Sequence, residues 1–357
     1  MDPAAYAGKV VGDRYRIGRA LGSGGMSSVF VAEDLKRPDR PRAVKVMAPF
    51  LLTDERSRAR FEQEALIGRA LKHPNIVDVL AAGVDPSLGS PWIAMELLEG
   101  KTLTDAIEQR GPLPADEVRR IFVDFGSAVS AAHQAGAVHR DLKPDNIFLA
   151  STPSKMLPYT VKVLDFGIAK VRKDVSALNS QIMGTPVWMA PEQLAPGTPI
   201  DPSTDAWAFG LIAFAALTAK PYWKVANEPA MNLPKLFGEI MAEEIVAPSR
   251  RAAELGVNVA LPPAFDAWFL HCVARDASAR FPTIADATRA LDRALGGARP
   301  TPSEELPAVA PPTPPAKASE PPPQPPRARP RWPYALVAVL VVVLAIAGGF
   351  ALRLLAR

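Results

Sequence analysis

The sequence predicts an α+β protein of two lobes, the first rich in strands and the second helical. A proline-rich stretch and one long uncharged segment follow. Three observations lead there. Short β-branched and aromatic runs broken by glycine and proline crowd the first hundred or so residues. Beyond Gly100, apolar residues recur at helical spacing. Between an apolar helix and the apolar strand Asn146-Ile147-Phe148-Leu149 lies His139-Arg140-Asp141-Leu142-Lys143-Pro144-Asp145-Asn146, which crowds charge where a core would tolerate none. The 357 residues suffice for one large two-lobed domain plus an appendage.

Composition narrows the function classes. Hydrophobic residues make up 48% of the chain, enough for a sizeable core, and the net charge is only +4. No basic stripe with interleaved aromatics is present, so no nucleic-acid partner is expected. Cys272 is the single cysteine, which rules out an intrachain disulfide, fits a reducing compartment and reads as a small buried apolar residue. Met1-Asp2-Pro3-Ala4-Ala5 carries neither a basic region nor an apolar run, so no cleavable signal peptide is expected.

Residues 15–47 read as strand, glycine-rich turn, strand, loop, strand. In Leu21-Gly22-Ser23-Gly24-Gly25-Met26-Ser27-Ser28-Val29-Phe30 the glycines let backbone N–H groups approach phosphates. A dinucleotide site would need a helix next. The run Val29-Phe30-Val31 argues for a strand instead, and so for a hairpin lid. Ser27 stands where the third glycine of such a loop is usual. Ala43-Val44-Lys45-Val46 sets a lysine inside an apolar strand. Alternation allows it to face outward, or inward toward a carboxylate and phosphates. A helix over about 54–71 offers Glu62 and Glu64 as partners and places Phe61, Ala65 and Leu66 on one side. His73-Pro74-Asn75-Ile76-Val77 ends that helix and starts a strand. Pro91 to Gly100 is a second buried strand running into a linker, whose backbone suits a flat heterocycle.

Pro114 to His133 carries Phe122, Phe125, Val129 and Ala132 at core-helix spacing. In the loop that follows, Asp141 suits taking or orienting a hydroxyl proton, Lys143 steadying a phosphoryl group and Asn146 ligating a metal. After the irregular Ala150–Tyr159 segment, the strand Val161–Leu164 delivers Asp165-Phe166-Gly167. An acid at a strand end beside a glycine suits a metal ligand. Ser203 to Leu217 is apolar all round and should be buried. Ser203 and Thr204 are its candidate caps, and Asp205 would be a buried acid needing partners. Residues 221–262 are proline-interrupted and give no clear pattern. A last helix ends near Gly296-Gly297.

Residues 299–330 hold 13 prolines and should form a stiff, extended, disordered linker. Tyr334 to Leu352 has no charge, and its length corresponds to about 28 Å of helix, close to a bilayer's hydrocarbon thickness. A transmembrane helix is expected there. Arg327, Arg329 and Arg331 on its near side against Arg353 and Arg357 beyond it favour a cytoplasmic N-terminal part. Fully extended, the linker over 299–331 would reach roughly 100 Å.

The set resembles the bacterial eukaryotic-like (Hanks-type) protein Ser/Thr kinases, single-pass membrane form, over about residues 15–293. The resemblance rests on the glycine-rich loop, Ala43-Val44-Lys45, the His139–Asn146 loop, Asp165-Phe166-Gly167, Ala190-Pro191-Glu192, Asp205 and Arg280, all in order. It implies a protein-kinase-like fold with an N-lobe over about 15–98 and a C-lobe over about 99–293, using ATP with Mg²⁺, or Mn²⁺ in its place. Leu21, Gly22, Ser23, Gly24, Gly25, Val29 and Ala43 would then surround ATP. Lys45, paired with Glu64 rather than Glu62, would bind the α- and β-phosphates. Glu96 and Leu98 would hold adenine through their backbones, with Met95 guarding the pocket behind. Asp141 would be the catalytic base, Lys143 a γ-phosphate contact, and Asn146 and Asp165 the metal ligands. His139, Glu192, Asp205 and Arg280 would be structural, the last as a buried partner of Glu192. Ser176 and Ser180 would be activation-loop phosphosites, and Thr185 a contact at the substrate. The implied activity is transfer of the ATP γ-phosphoryl to Ser or Thr of cytoplasmic proteins at a bacterial inner membrane, with autophosphorylation in a homodimer. A membrane-tethered pseudokinase scaffold is the alternative.

Overall fold

The computed structural model describes residues 3–24, 27–48, 54–86, 88–152, 159–165, 186–195 and 197–296. The chain divides into two units, Met1–Arg299 and Pro300–Arg357, and the described residues all belong to the first. Gly25, Phe166, Gly167, Ser176, Ser180 and Thr185 lie outside the described residues, as do the linker and the uncharged segment 334–352.

The first lobe is built on six antiparallel strands. They are β1 (Val10–Val11), β2 (Tyr15–Ser23), β3 (Ser27–Asp34), β4 (Arg42–Met47), β5 (Val79–Asp85) and β6 (Ser90–Glu96), ordered β1-β2-β3-β4-β6-β5. Strand alternation splits β4 between two cores. Val44 and Val46 join Tyr15, Ile17, Phe30, Ala32 and Ala94 on one face. Ala43 and Met47 join Phe61, Ala65, Val79, Ile93 and Met95 on the other, against helix α1 (Glu55–Ala70). Lys45 shares the parity of Ala43 and Met47, so the strand itself aims it at α1.

The outer face begins upstream of residue 15. Tyr6, in a 3₁₀ turn at Pro3–Tyr6, lies with its ring 5.6 Å from that of Phe30, and β1 extends the sheet by pairing with β2. Two sequence expectations are corrected in this lobe. Leu66 is 68% exposed, whereas Phe61, Ala65 and Gly68 face the sheet. A helix turns by about 100° per residue, so the position after Ala65 swings toward solvent. Ile76 and Val77 do not begin β5. Ile76 instead bridges Val163 in parallel, and the antiparallel strand starts at Val79.

The second lobe opens with a small sheet, β7 (Gly100–Thr102), β8 (Ile147–Ser151) and β9 (Tyr159–Val163). Gly100 has φ of 140°, and a Cβ there would lie 2.1 Å from the Leu149 carbonyl oxygen, so only glycine lets β7 lie this close to β8. Helix α2 (Leu103–Arg110) starts in a capping box between Thr102 and Asp105. Then come α3 (Ala115–Gln134), α4 (Pro191–Leu194), α5 (Pro202–Thr218), α6 (Leu233–Met241), α7 (Pro248–Glu254), α8 (Pro263–Cys272) and α9 (Ile284–Ala294).

Helix α5 is the centre of the lobe, buried from Thr204 through Thr218. Its Phe209 meets Phe122 edge-on at 4.8 Å and stacks on Phe125 at 5.0 Å. Each such buried ring contributes about 1.5–3 kcal/mol. The cap of α5 is Asp201, which accepts from the Ser203 N–H, and not Ser203 or Thr204. Thr204 instead donates to Glu192 at 2.8 Å. Cys272 is buried, and burial raises its thiol pKa well above the ordinary range. Among the described residues no helix is long and apolar enough to cross a membrane.

Candidate active site

Four elements converge between the lobes: β4, α1, the loop from His139 to Asn146, and the end of β9. Parity on β4 brings the Lys45 ammonium 2.7 Å from Glu64 Oε1 and 2.9 Å from Asp165 Oδ1. Helical phase selects Glu64 and leaves Glu62 exposed. Burial works against charge on Lys45, but the two carboxylates, Asp165 foremost, outweigh it and raise its pKa. Burial pushes Glu64 up to about 7, and the neighbouring Asp165 adds to the shift against the pull of Lys45. Burial also disfavours a charged Asp165, yet Lys45 beside it holds its carboxyl below the ordinary range. The cluster therefore sets one ammonium between two carboxylates.

The glycine-rich hairpin lies over the same lysine. Val29 is registered opposite Lys45, Gly22 opposite Val29, and Ser23 opposite Ser28. Gly24 N–H donates to the Ser27 carbonyl at 2.9 Å, and the Ser23 and Ser28 hydroxyls meet at 2.8 Å. The serine replacing the third glycine thus begins β3 through its backbone. Leu21 is 44% exposed at the rim, while Ala43 and Met95 are buried behind it.

The loop below is held from behind. Asp205, 1% exposed, accepts from the backbone N–H groups of His139 and Arg140, both at 2.8 Å, and meets His133 Nε2 at 2.7 Å. His139, fully buried, places its Nε2 3.0 Å from the Leu164 carbonyl and so ties the loop to the chain just before Asp165. Arg140 and Asp165 both adopt positive φ, 64° and 42°. Non-glycine residues in that region carry strain that the surrounding bonds must hold.

Lys143 Nζ lies 3.4 Å from Asp141 Oδ2. Asn146 Nδ2 donates to the Asp141 carbonyl at 2.8 Å. Because that amide nitrogen is committed, the Asn146 side-chain oxygen is the atom left to face a cation. Asp165, at the end of the adjoining strand, supplies a carboxylate close by in space, since Leu164 N–H donates to the Asn146 carbonyl at 2.9 Å. An amide oxygen plus a carboxylate suits a hard divalent ion that takes its remaining ligands from phosphates and water. Among the described residues no cluster of three His, Cys, Asp or Glu offers a fuller cage.

Glu192 and Arg280 form a two-pronged pair at 2.7 and 2.8 Å, with Arg280 also bonded to the carbonyls of Ala274 and Ser203. Three partnerships escaped the sequence reading. His133 completes the Asp205 cluster. Gln193 donates to the Arg140 carbonyl at 2.8 Å, and Thr204 donates to Glu192. Each is a common polar residue on a helix or at its end, and only its tertiary partner distinguishes it.

Known proteins resemble this chain in sequence and fold. The chain is 36% identical over 294 residues to serine/threonine-protein kinase pkn3 of Myxococcus xanthus, covering 81% of this chain and 51% of that protein. It is 34% identical over 292 residues to serine/threonine-protein kinase PknB of Mycobacterium leprae, covering 81% of this chain and 44% of that one. The chain therefore spans about half the length of these curated relatives. Among solved structures, the PknI kinase domain of Mycobacterium tuberculosis superposes with a TM-score of 0.62 at 26% identity, covering 81% of this chain and 98% of that domain. Residues 15–285 match the family described as protein kinase domain, and the chain belongs to that family.

Proposed function

We propose that this chain is a membrane-anchored serine/threonine protein kinase that transfers the γ-phosphoryl group of ATP to protein hydroxyls. The observation carrying the reading is the opposition of two clusters across one cleft. The Lys45–Glu64–Asp165 cluster hangs from the first lobe and the end of β9. Asp141, Lys143 and Asn146 stand on a loop that Asp205 braces from the other lobe. Lys45 binds the α- and β-phosphates while Glu64 holds it in place. The hairpin over residues 22–24 offers backbone N–H groups to the phosphates, and the ends of β6 and the following linker, Glu96 and Leu98, offer backbone to adenine. Asp141 accepts or orients the proton of the incoming hydroxyl, and Lys143 steadies the transferring phosphoryl. Asn146 and Asp165 would hold Mg²⁺, which supplies charge neutralisation for the phosphates when bound. Positioning and electrostatics carry the rate, because the protein forms no covalent bond.

The uncharged segment 334–352 and its flanking arginines support anchoring at the cytoplasmic face of a bacterial inner membrane, with substrates near that surface. Arg140, beside the base, supports control by phosphate on Ser176 or Ser180, placed by another copy of the chain in a homodimer. The pseudokinase alternative is disfavoured because each position that the chemistry needs keeps its residue type.

The test is transfer from labelled ATP to generic protein substrates by the full chain in detergent or vesicles, beside Asp141→Asn and Lys45→Met. Transfer by the wild type, binding of nucleotide without transfer by Asp141→Asn, and loss in Lys45→Met are expected. Unchanged transfer by Asp141→Asn would overturn the assignment.

A further inference from the structure

We propose that Lys162 is a positioning residue for ATP, joining the adenine-side strand to the two segments that deliver Glu64 and Asp165. This rests on the kinase reading above and adds to it a residue outside the cleft chemistry.

Lys162 lies on β9, three positions before Asp165. Its ammonium is 2.7 Å from Glu96 Oε1, with the two side chains 16% and 27% exposed. Glu96 ends β6, where the backbone would meet adenine. The same Oε1 accepts from the Asp78 N–H at 2.9 Å, and the Glu96 N–H donates to the Asp78 carbonyl at 3.0 Å. Lys162 makes a longer contact, 3.5 Å, with the Ile76 carbonyl.

Residues 75–78 form the exit from α1, the helix that carries Glu64. They are stitched to β9 by Val163 N–H to the Asn75 carbonyl at 2.8 Å, Val77 N–H to the Val163 carbonyl at 3.0 Å, and Asn75 Nδ2 to the Val161 carbonyl at 2.9 Å. Lys72 pairs with Asp78 on the outer side of the same turn. One ammonium therefore meets the end of β6, the exit of the Glu64 helix and the strand that leads to the proposed metal ligand.

The physical argument is one of alternatives. Two backbone bonds and the Asn75 side chain fix the turn to β9. In the described structure, the Glu96 carboxylate has Lys162 as its only cation. Without the lysine, that carboxylate keeps a single N–H from Asp78 and gains by turning to water, because a half-buried anion needs compensation. The end of β6 would then sample positions in which its backbone and the phosphate-binding groups no longer match one nucleotide. Binding suffers, while Asp141, on a loop that Asp205 also braces from α5, keeps its place.

The experiment measures ATP KM and kcat of the full chain, together with equilibrium affinity for a fluorescent ATP analogue and thermal stability, for wild type, Lys162→Met, Lys162→Arg and Glu96→Gln/Lys162→Met. The expected result is a roughly tenfold weaker ATP KM and analogue affinity in Lys162→Met, equivalent to ~1.4 kcal/mol, with kcat within about twofold. Lys162→Arg should recover affinity to within about threefold of wild type, and the double variant should be no weaker than the single one. Unchanged affinity in Lys162→Met overturns the proposal, as does a fall in melting temperature alone or a change confined to kcat. If Lys162→Met does not fold, Lys162→Gln, which keeps a donor, takes its place under the same criteria. A wild type that binds the analogue without transferring phosphate overturns the kinase reading alone, and the affinity series still decides the role of Lys162.

Discussion

Replacing Asp205 by Asn tests how the His139–Asn146 loop is held. The change is nearly isosteric, so it removes charge and acceptor capacity without opening a cavity. In the native site the carboxylate accepts from two backbone N–H groups at 2.8 Å and meets His133 at 2.7 Å, at a position 1% exposed. An amide keeps one acceptor oxygen and turns two N–H bonds outward. One of the His139 and Arg140 donors then faces another donor, while His133 can adapt by presenting a bare ring nitrogen. The lost charge-assisted bond costs about 1.5–3 kcal/mol and the stranded N–H about 1–3 kcal/mol more. A total near ~3 kcal/mol is expected after His133 adapts. For a domain of this size that corresponds to a fall in melting temperature of roughly 6–12 °C. Arg140 already sits at φ of 64°, so its strain has one fewer restraint and Asp141 shifts. A misplacement near 1 Å at a reacting group costs about a hundredfold in rate. Urea unfolding and steady-state kinetics measure both effects. The expected pattern is a large fall in kcat with ATP KM within about threefold, since Lys45, Glu64 and the end of β6 are not held by Asp205. Stability within about 1 kcal/mol of wild type, together with unchanged kcat, would refute the view that Asp205 braces the loop.

Two further outcomes follow from charge pairs elsewhere. Arg280→Met leaves Glu192, 8% exposed, with Thr204 alone, and breaking one side of a buried pair should cost about 3–5 kcal/mol by denaturant unfolding. The companion variant Glu192→Leu/Arg280→Met should recover part of that loss, because no buried charge remains. Arg14 bonds Asp34 through two contacts of 2.7 Å and holds its carboxyl at about 2. That folded value lies below the unfolded one, so the pair stabilises the first lobe above about pH 4 and loses its effect as pH falls toward about 2. Arg14→Met should therefore move the acid-unfolding midpoint, followed by circular dichroism, to higher pH. An unchanged midpoint would count against a folded-state pair.

Secondary structure was legible where one period dominated. Helix α3 buries one face at helical spacing, and α5, apolar on every side, reads as a buried helix. Legibility failed where two neighbours differed only in phase. Leu66 and Ala65 are adjacent apolar residues on one helix, and nothing in the local sequence says which faces the sheet. It failed likewise where polar residues compete for one role. Asp201, Ser203 and Thr204 all suit a helix cap; Asp201 takes the role, Ser203 donates to it and Thr204 donates to Glu192 instead.

The sequence by itself determined the chemistry offered: a lysine in a short apolar strand, an acid, a lysine and an amide in one loop, and a second acid at a strand end. Residue types and short spacings suffice for that, because local backbone geometry sets which side chains a strand or loop can present. Only the tertiary structure decided the partners. Lys45 finds Glu64 and Asp165 because β4 parity, the phase of α1 and the path of β9 meet at one point. Asp205 finds His133 and two backbone N–H groups because α5 is buried so deeply that its one acid must be satisfied there. Such contacts join residues far apart in the chain, and their selection lies in packing, which no local pattern encodes.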